Sequence, residues 1–218
     1  MTEPAGLTVS SDQSVKTLAN TFSMPLLAAL LIFEVFAEAF LLPRLHVRFL
    51  GADNFARFWD INVIVADLLV LALAISLRAR ILLLSRFGIS REHLAWLICG
   101  FIANSLPVFP GVPPMELERG AGIWVYYILC DVVLTPVVEE SIDRGIFQRS
   151  LQDRLPRPIS IVCVAAISAF LHQHFWVSFP IQLLLGTVYA YRKNSLSASI
   201  ACHAGANIAN LVFFSKLV

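Results

Sequence analysis

The chain has 218 residues, 58% of them apolar and 14% charged, against about 45–50% and about 25% in a typical soluble domain. With a mean hydropathy of +0.76, this composition excludes a disordered chain and argues against a soluble globular one. The formal net charge is +1, and no Lys/Arg-rich run supplies the basic surface that nucleic acid requires.

Residues 1–23 carry Glu3, Asp12 and Lys16 among several Ser and Thr. A signal peptide would have a basic start, a short apolar core and a small-residue cleavage site, so this segment reads as a polar tail. A bilayer-crossing helix needs about 20 mostly apolar residues. Seven segments are candidates: 24–42, 61–84, 93–109, 121–141, 159–177, 180–191 and 196–214. The sixth is short and opens on Pro180, which predicts a tilted or broken helix. Residues 159–191 and 194–215 contain no charged side chain. The predicted fold is therefore all-α, a polytopic membrane bundle of about seven helices.

Lys and Arg concentrate on the cytoplasmic side of a membrane protein. With seven spans, the side that receives the N-terminus holds 11 of them and the other side 5. The N-terminus is therefore expected in the cytoplasm. Pro110, Pro113 and Pro114 mark a rigid break, which divides N-terminal helices (24–119) from a core (120–218). Cys99, Cys130, Cys163 and Cys202 sit in apolar stretches without a CxxC pair. They read as small buried residues, neither a disulfide framework nor a zinc knuckle.

Polar groups inside a membrane are costly and default to functional candidates. The core has three clusters. In the first, Glu139 and Glu140 follow a mostly apolar run. Glu140 and Arg144 are i, i+4 and can pair on one helix face. Glu139 points about 100° away and is left as a proton acceptor; solvated charges at a helix end are the plainer alternative. In the second, Phe170 and His174 are i, i+4, and His172 points nearly opposite. In the third, His203 and Asn207 are i, i+4 on a helix rich in small residues (Ala201, Ala204, Gly205, Ala206, Ala209). Those small residues permit close helix approach.

Turns near 155–158 and 193–195 would bring the clusters to similar levels on neighbouring helices. A catalytic chamber is thus expected among the last four helices. A glutamate and a histidine can activate one water there, while a histidine and an asparagine donate to the developing oxyanion. Zinc ligation by Glu and His is the other use of such residues, but HExxH is absent.

The order Glu139-Glu140-xxx-Arg144, Phe170-xxx-His174, His203-xxx-Asn207 resembles the CPBP family of intramembrane proteases, the CAAX prenyl proteases and bacteriocin-processing enzymes also called Abi proteins. The resemblance covers about residues 120–215. It implies that Glu139 and His174 activate water, that His203 and Asn207 form the oxyanion hole, and that Glu140 and Arg144 hold the geometry. It implies no required cofactor, with a zinc-assisted variant as the alternative. The expected activity is cleavage of a membrane-bound or lipidated protein or peptide in a bacterial inner membrane. A catalytically silent scaffold or immunity factor of the same family is the second reading. A small transporter or haem-binding protein using His172, His174 and His203 is the third. One departure is Asp143, where many members carry Phe before the Arg.

Overall fold

The computed structural model describes residues 23–50, 59–76, 90–105, 115–117, 121–172, 174–192, 194–213 and 215–217. The polar tail up to residue 22, and residues 77–89 and 106–114, which include the ends of the expected segments 61–84 and 93–109, lie outside the described residues. Most of the charges used for orientation at 78–86 therefore lie outside them as well.

The described residues form seven helical runs. Helix α1 covers residues 24–50, α2 Trp59–Ser76, α3 Arg91–Ser105, α4 residues 121–152, α5 Arg157–Leu171, α6 Phe175–Tyr191 and α7 Leu196–Phe213. A short parallel pairing of β1 (Met115–Leu117) with β2 (Ser215–Leu217) ties the segment before α4 to the segment after α7. Helix α7 alone among the described helices is long and apolar enough to cross a membrane by length and composition; four others are apolar but shorter.

Ser23 caps α1 by accepting from the Leu26 amide, and Pro25 occupies its first turn, where a missing N–H costs nothing. Helix α4 alternates α-helical and π-helical turns: a π stretch at Ile128–Leu134, α-helix at Thr135–Glu140, a second π stretch at Ser141–Gln148. Pro136 follows the first π stretch. A proline inside a helix removes one i→i−4 bond and crowds the carbonyl four residues back, and a widened turn relieves that crowding. Glu139 and Glu140 thus sit on a short α-helical piece between two wide turns.

Two sixth- and fifth-segment boundaries differ from the sequence reading. Helix α6 begins at Phe175, five residues before Pro180, so the proline lies inside a 17-residue helix. Helix α5 ends at Leu171 and does not run to 177. His172 is extended, with φ −85° and ψ 148°. Its backbone N–H reaches Ala169, while its ring Nδ1 takes the Ser168 carbonyl at 2.8 Å. The ring thus replaces the backbone donor that a continuing helix would have supplied.

The largest apolar core joins α1 (Leu27, Leu30), α2 (Val70), α4 (Val138, Ile142, Ile146, Phe147, Leu151) and α5 (Val164). Helices on both sides of the proline break therefore share one core.

Helix α3 lies along α7. A Cβ built on Gly100 would overlap the carbonyl of Cys202, and one on Gly205 would overlap that of Leu97. Each glycine admits the partner's backbone, as the small-residue stripe on α7 leads one to expect. Polar contacts flank the close approach. His93 Nε2 meets Ser197 Oγ at 2.9 Å, and Asn104 Nδ2 donates to the Ala206 carbonyl at 2.8 Å. At the outer end, Arg192 pairs with Glu92, but both are exposed, and such pairs contribute little. Gly205→Ala is expected to force α3 and α7 apart and to destabilise the fold by at least the ~1–3 kcal/mol of an overpacked core. Folded yield and thermal unfolding in detergent, compared with Ala204→Gly, would check it; an unchanged melting temperature for Gly205→Ala would show that the helices are not in that contact.

Candidate active site

Helix α4 presents Glu140, Arg144 and Gln148 at successive i+4 positions, all fully buried. Helix α7 presents Ser199, His203 and Asn207 at the same spacing. The two stripes face each other. Arg144 Nε donates to Glu140 Oε2 at 3.2 Å, the pair that the i, i+4 spacing predicts. Ser199 Oγ also donates to Glu140 Oε2. The other oxygen, Oε1, lies 3.1 Å from His203 Nδ1.

Helix α6 braces this pair from a third side. Arg144 Nη2 donates to the side-chain oxygen of Gln182 and, at 3.3 Å, to its carbonyl. One turn on, Gln148 Nε2 donates to the Gly186 carbonyl at 2.8 Å. Both contacts join residues 38 apart, so one helix face is read against the other in a fixed register. A Cβ on Gly186 would come within 2.9 Å of Gln148 Oε1, which is why glycine suits that position.

An ionised carboxylate can only accept. Glu140 therefore obliges His203 Nδ1 to carry the proton, and it orients the ring. The opposite nitrogen, Nε2, faces Glu139 Oε2 at 3.8 Å. Glu139 retains 17% side-chain exposure, whereas Glu140 has none. The two adjacent glutamates are thus in different situations: one is locked into the scaffold, the other borders the accessible space. Asn207 Nδ2 donates to the Asp131 carbonyl at 2.7 Å, which ties α7 to the first wide turn of α4.

Residues 121–209 match the family model described as type II CAAX prenyl endopeptidase Rce1-like. Over that segment, 89 of the 218 residues, the chain is similar to the CAAX-protease family. Neither the search of curated proteins nor the search of solved structures found a match. The match begins with α4 and ends within α7, so it takes in Glu139, Glu140, Arg144, His203 and Asn207.

Within the matched segment, the structure brings Glu139, Glu140, Arg144, His203 and Asn207 into one neighbourhood. It does not bring His174 into the same network. His174 is the residue before α6, is exposed, and makes no hydrogen bond or ion pair with Glu139, Glu140, Arg144 or His203. The shared face of Phe170 and His174 required a continuous helix, and α5 ends before His174. Arg144 is a further correction. It is buried in the site and is no loop charge, so the Lys/Arg count becomes 10 against 5.

Sequence reasoning passed over Ser199, Gln148 and Gln182. The first two had a signal: each lies four residues from a chosen residue on the same helix. Gln182 had none, because its role depends on how α6 crosses α4.

The donor set does not favour zinc. Catalytic zinc sites use three protein ligands. Both oxygens of Glu140 are occupied by Arg144, Ser199 and His203, which leaves Glu139 and one nitrogen of His203. Among the described residues no group of three His, Cys, Asp or Glu side chains is arranged to hold a metal ion.

Proposed function

We propose that the protein is an endopeptidase that hydrolyses a peptide bond of a membrane-associated or lipidated protein through a carboxylate-activated water. The observation that carries this reading is His203 held between two carboxylates, Nδ1 at 3.1 Å from Glu140 and Nε2 at 3.8 Å from Glu139. A separation of 3.8 Å is too long for a direct hydrogen bond, but it accommodates an oxygen at about 2.8 Å from both atoms.

In this mechanism Glu139 accepts one proton from the water, and the resulting hydroxide adds to the scissile carbonyl carbon. The carbonyl oxygen becomes an oxyanion. Asn207 donates to it through its second Nδ2 proton, and His203, held through Nδ1 by Glu140, lines the same hole. Glu139 then returns its proton to the leaving amine, and the C–N bond breaks. Glu140, Arg144, Ser199 and Gln182 hold His203 in place before substrate arrives. The chamber is assigned to the last four helices, and the N-terminus to the cytoplasmic face of the membrane. The substrate class follows from the family, whose members act at prenylated C-terminal CAAX sequences.

A scaffold has no need of a carboxylate facing an oriented imidazole, which favours the enzyme. The test compares host membranes carrying the wild type with those carrying Glu139→Ala, by mass spectrometry of protein termini. One or more precursors are expected to persist uncut in the variant. If the termini are identical, while a deletion phenotype is restored by Glu139→Ala as well as by wild type, the protein acts by binding.

A further inference from the structure

We propose that His203 is the imidazole that holds the nucleophilic water beside Glu139, an assignment that rests on the endopeptidase reading above. One histidine then takes the place in water activation that the resemblance gives to His174.

Both ring nitrogens of His203 have fixed surroundings. Nδ1 lies 3.1 Å from Glu140 Oε1. An ionised carboxylate only accepts, so Nδ1 carries a proton. Nε2 lies 3.8 Å from Glu139 Oε2. In the neutral ring Nε2 keeps its lone pair and is an acceptor. Ionised Glu139 is an acceptor too. A slot with an acceptor on each side suits one small molecule with two donors, which is water. With its oxygen at about 2.8 Å from both atoms, the water gives one hydrogen to each. Both of its lone pairs are then left for the substrate.

The ring needs no charge of its own to satisfy Glu140. Arg144 Nε donates to Glu140 Oε2 at 3.2 Å, and both side chains are fully buried. Ser199 Oγ donates to the same oxygen. Oε2 is thus filled, Oε1 is left to His203, and the guanidinium balances the carboxylate charge. Arg144 is itself tied to Gln182 on α6, so the counter-charge stays in place. Ser199 and His203 lie one turn apart on α7 and grip the two oxygens of one carboxylate, which fixes the ring against rotation. A neutral, fixed imidazole with its lone pair toward a carboxylate 3.8 Å away is arranged for a shared water rather than for an ion pair.

The other candidate groups stand elsewhere. His174 is exposed at the start of α6, and its side chain has no hydrogen bond or ion pair among the described residues. Asn207 gives one Nδ2 proton to the Asp131 carbonyl at 2.7 Å and keeps the second for the oxyanion.

In the reaction the water O–H that faces Glu139 breaks. Its proton passes to Glu139, and the oxygen forms its bond to the carbonyl carbon. The O–H that faces His203 stays intact through the addition, so the ring gains and loses no proton. His203 remains on the hydroxyl side of the tetrahedral intermediate, while Asn207 donates to the oxyanion.

The test uses the full chain. Wild type, Glu139→Ala, His203→Ala and His174→Ala are compared in host membranes at matched protein levels, by the termini of precursors that accumulate. His203→Ala is expected to slow processing of the Glu139-dependent precursor by about 10²-fold or more, and His174→Ala by less than about ten-fold. A His174→Ala loss as large as that of Glu139→Ala overturns the proposal and leaves the endopeptidase reading standing. Absence of any Glu139-dependent precursor removes both. A second measurement is independent of how the variants fold: nitrogen NMR of the ¹⁵N-histidine-labelled wild type in detergent, at the pH of the cleavage assay. The chain has five histidines, and the His203 signals are what remains after the other four are assigned by single substitution to Gln. They should report a neutral ring protonated at Nδ1 alone. A ring protonated at both nitrogens, or at Nε2 alone, overturns the proposal, because Nε2 then donates and His203 serves the oxyanion instead.

Discussion

Glu139→Gln is expected to slow peptide hydrolysis by about 10²–10⁴-fold, the usual worth of a positioned general base, while the protein stays folded. Glutamine matches glutamate in shape and can still hydrogen-bond, but it cannot accept a proton at pH 7. The adjacent position makes the contrast sharp. Glu139 lies at the edge of the accessible space with 17% side-chain exposure and does not hold Arg144. Glu140 does, with no exposure at all. The measurement is the initial rate of precursor cleavage in proteoliposomes, with the melting temperature taken on the same samples. A Glu139→Gln protein that cleaves within a few-fold of wild type would remove the carboxylate-activated water. One that fails to fold would move Glu139 from chemistry to scaffold.

Glu140→Ala should fail for a different reason. The substitution leaves the Arg144 guanidinium fully buried without its carboxylate, and removing one member of a buried pair costs about 3–5 kcal/mol. It also deprives Ser199 and His203 Nδ1 of their shared acceptor. Folded yield should drop sharply, and thermal unfolding in detergent should begin at lower temperature. The double variant Glu140→Leu/Arg144→Met removes both charges together. Replacing a whole buried pair by apolar groups of similar volume is often neutral or better, so this variant should regain much of the stability. Activity should not return, because nothing then orients His203. A Glu140→Ala protein as stable as wild type would mean that water reaches Arg144 and that the pair is not sealed.

These two expectations separate roles that adjacent residues cannot display in a sequence. That Glu140 rather than Glu139 pairs with Arg144 was legible, because i, i+4 spacing on a helix is a local property. His203 with Asn207, and the small-residue face that lets α3 and α7 meet at Gly100 and Gly205, were legible for the same reason. The all-helical class followed from apolar run length.

The end of α5 was not legible. No glycine or proline stops that helix near 172. It stops where the His172 ring takes the Ser168 carbonyl, and the extended backbone there takes His174 off the face of α5. Helix α6 starts five residues before Pro180; inside a helix that proline removes one backbone bond and crowds one carbonyl without ending the helix. Gln182 could not be found at all, since it meets Arg144 only through the crossing of α6 and α4.

By itself, then, the sequence determined the all-helical class, the apolar composition, the likeness of residues 121–209 to the CAAX-protease family model and the pairs that share one helix. Each of these depends on spacing within a few residues or on summed hydropathy. Only the tertiary structure decided that Glu140 serves His203 as well as Arg144, across 63 residues of chain, and that Glu139 is the carboxylate opposite the free face of that ring. Those facts depend on helix crossing and register, which arise from many weak contacts between distant segments and leave no periodic trace in any one of them.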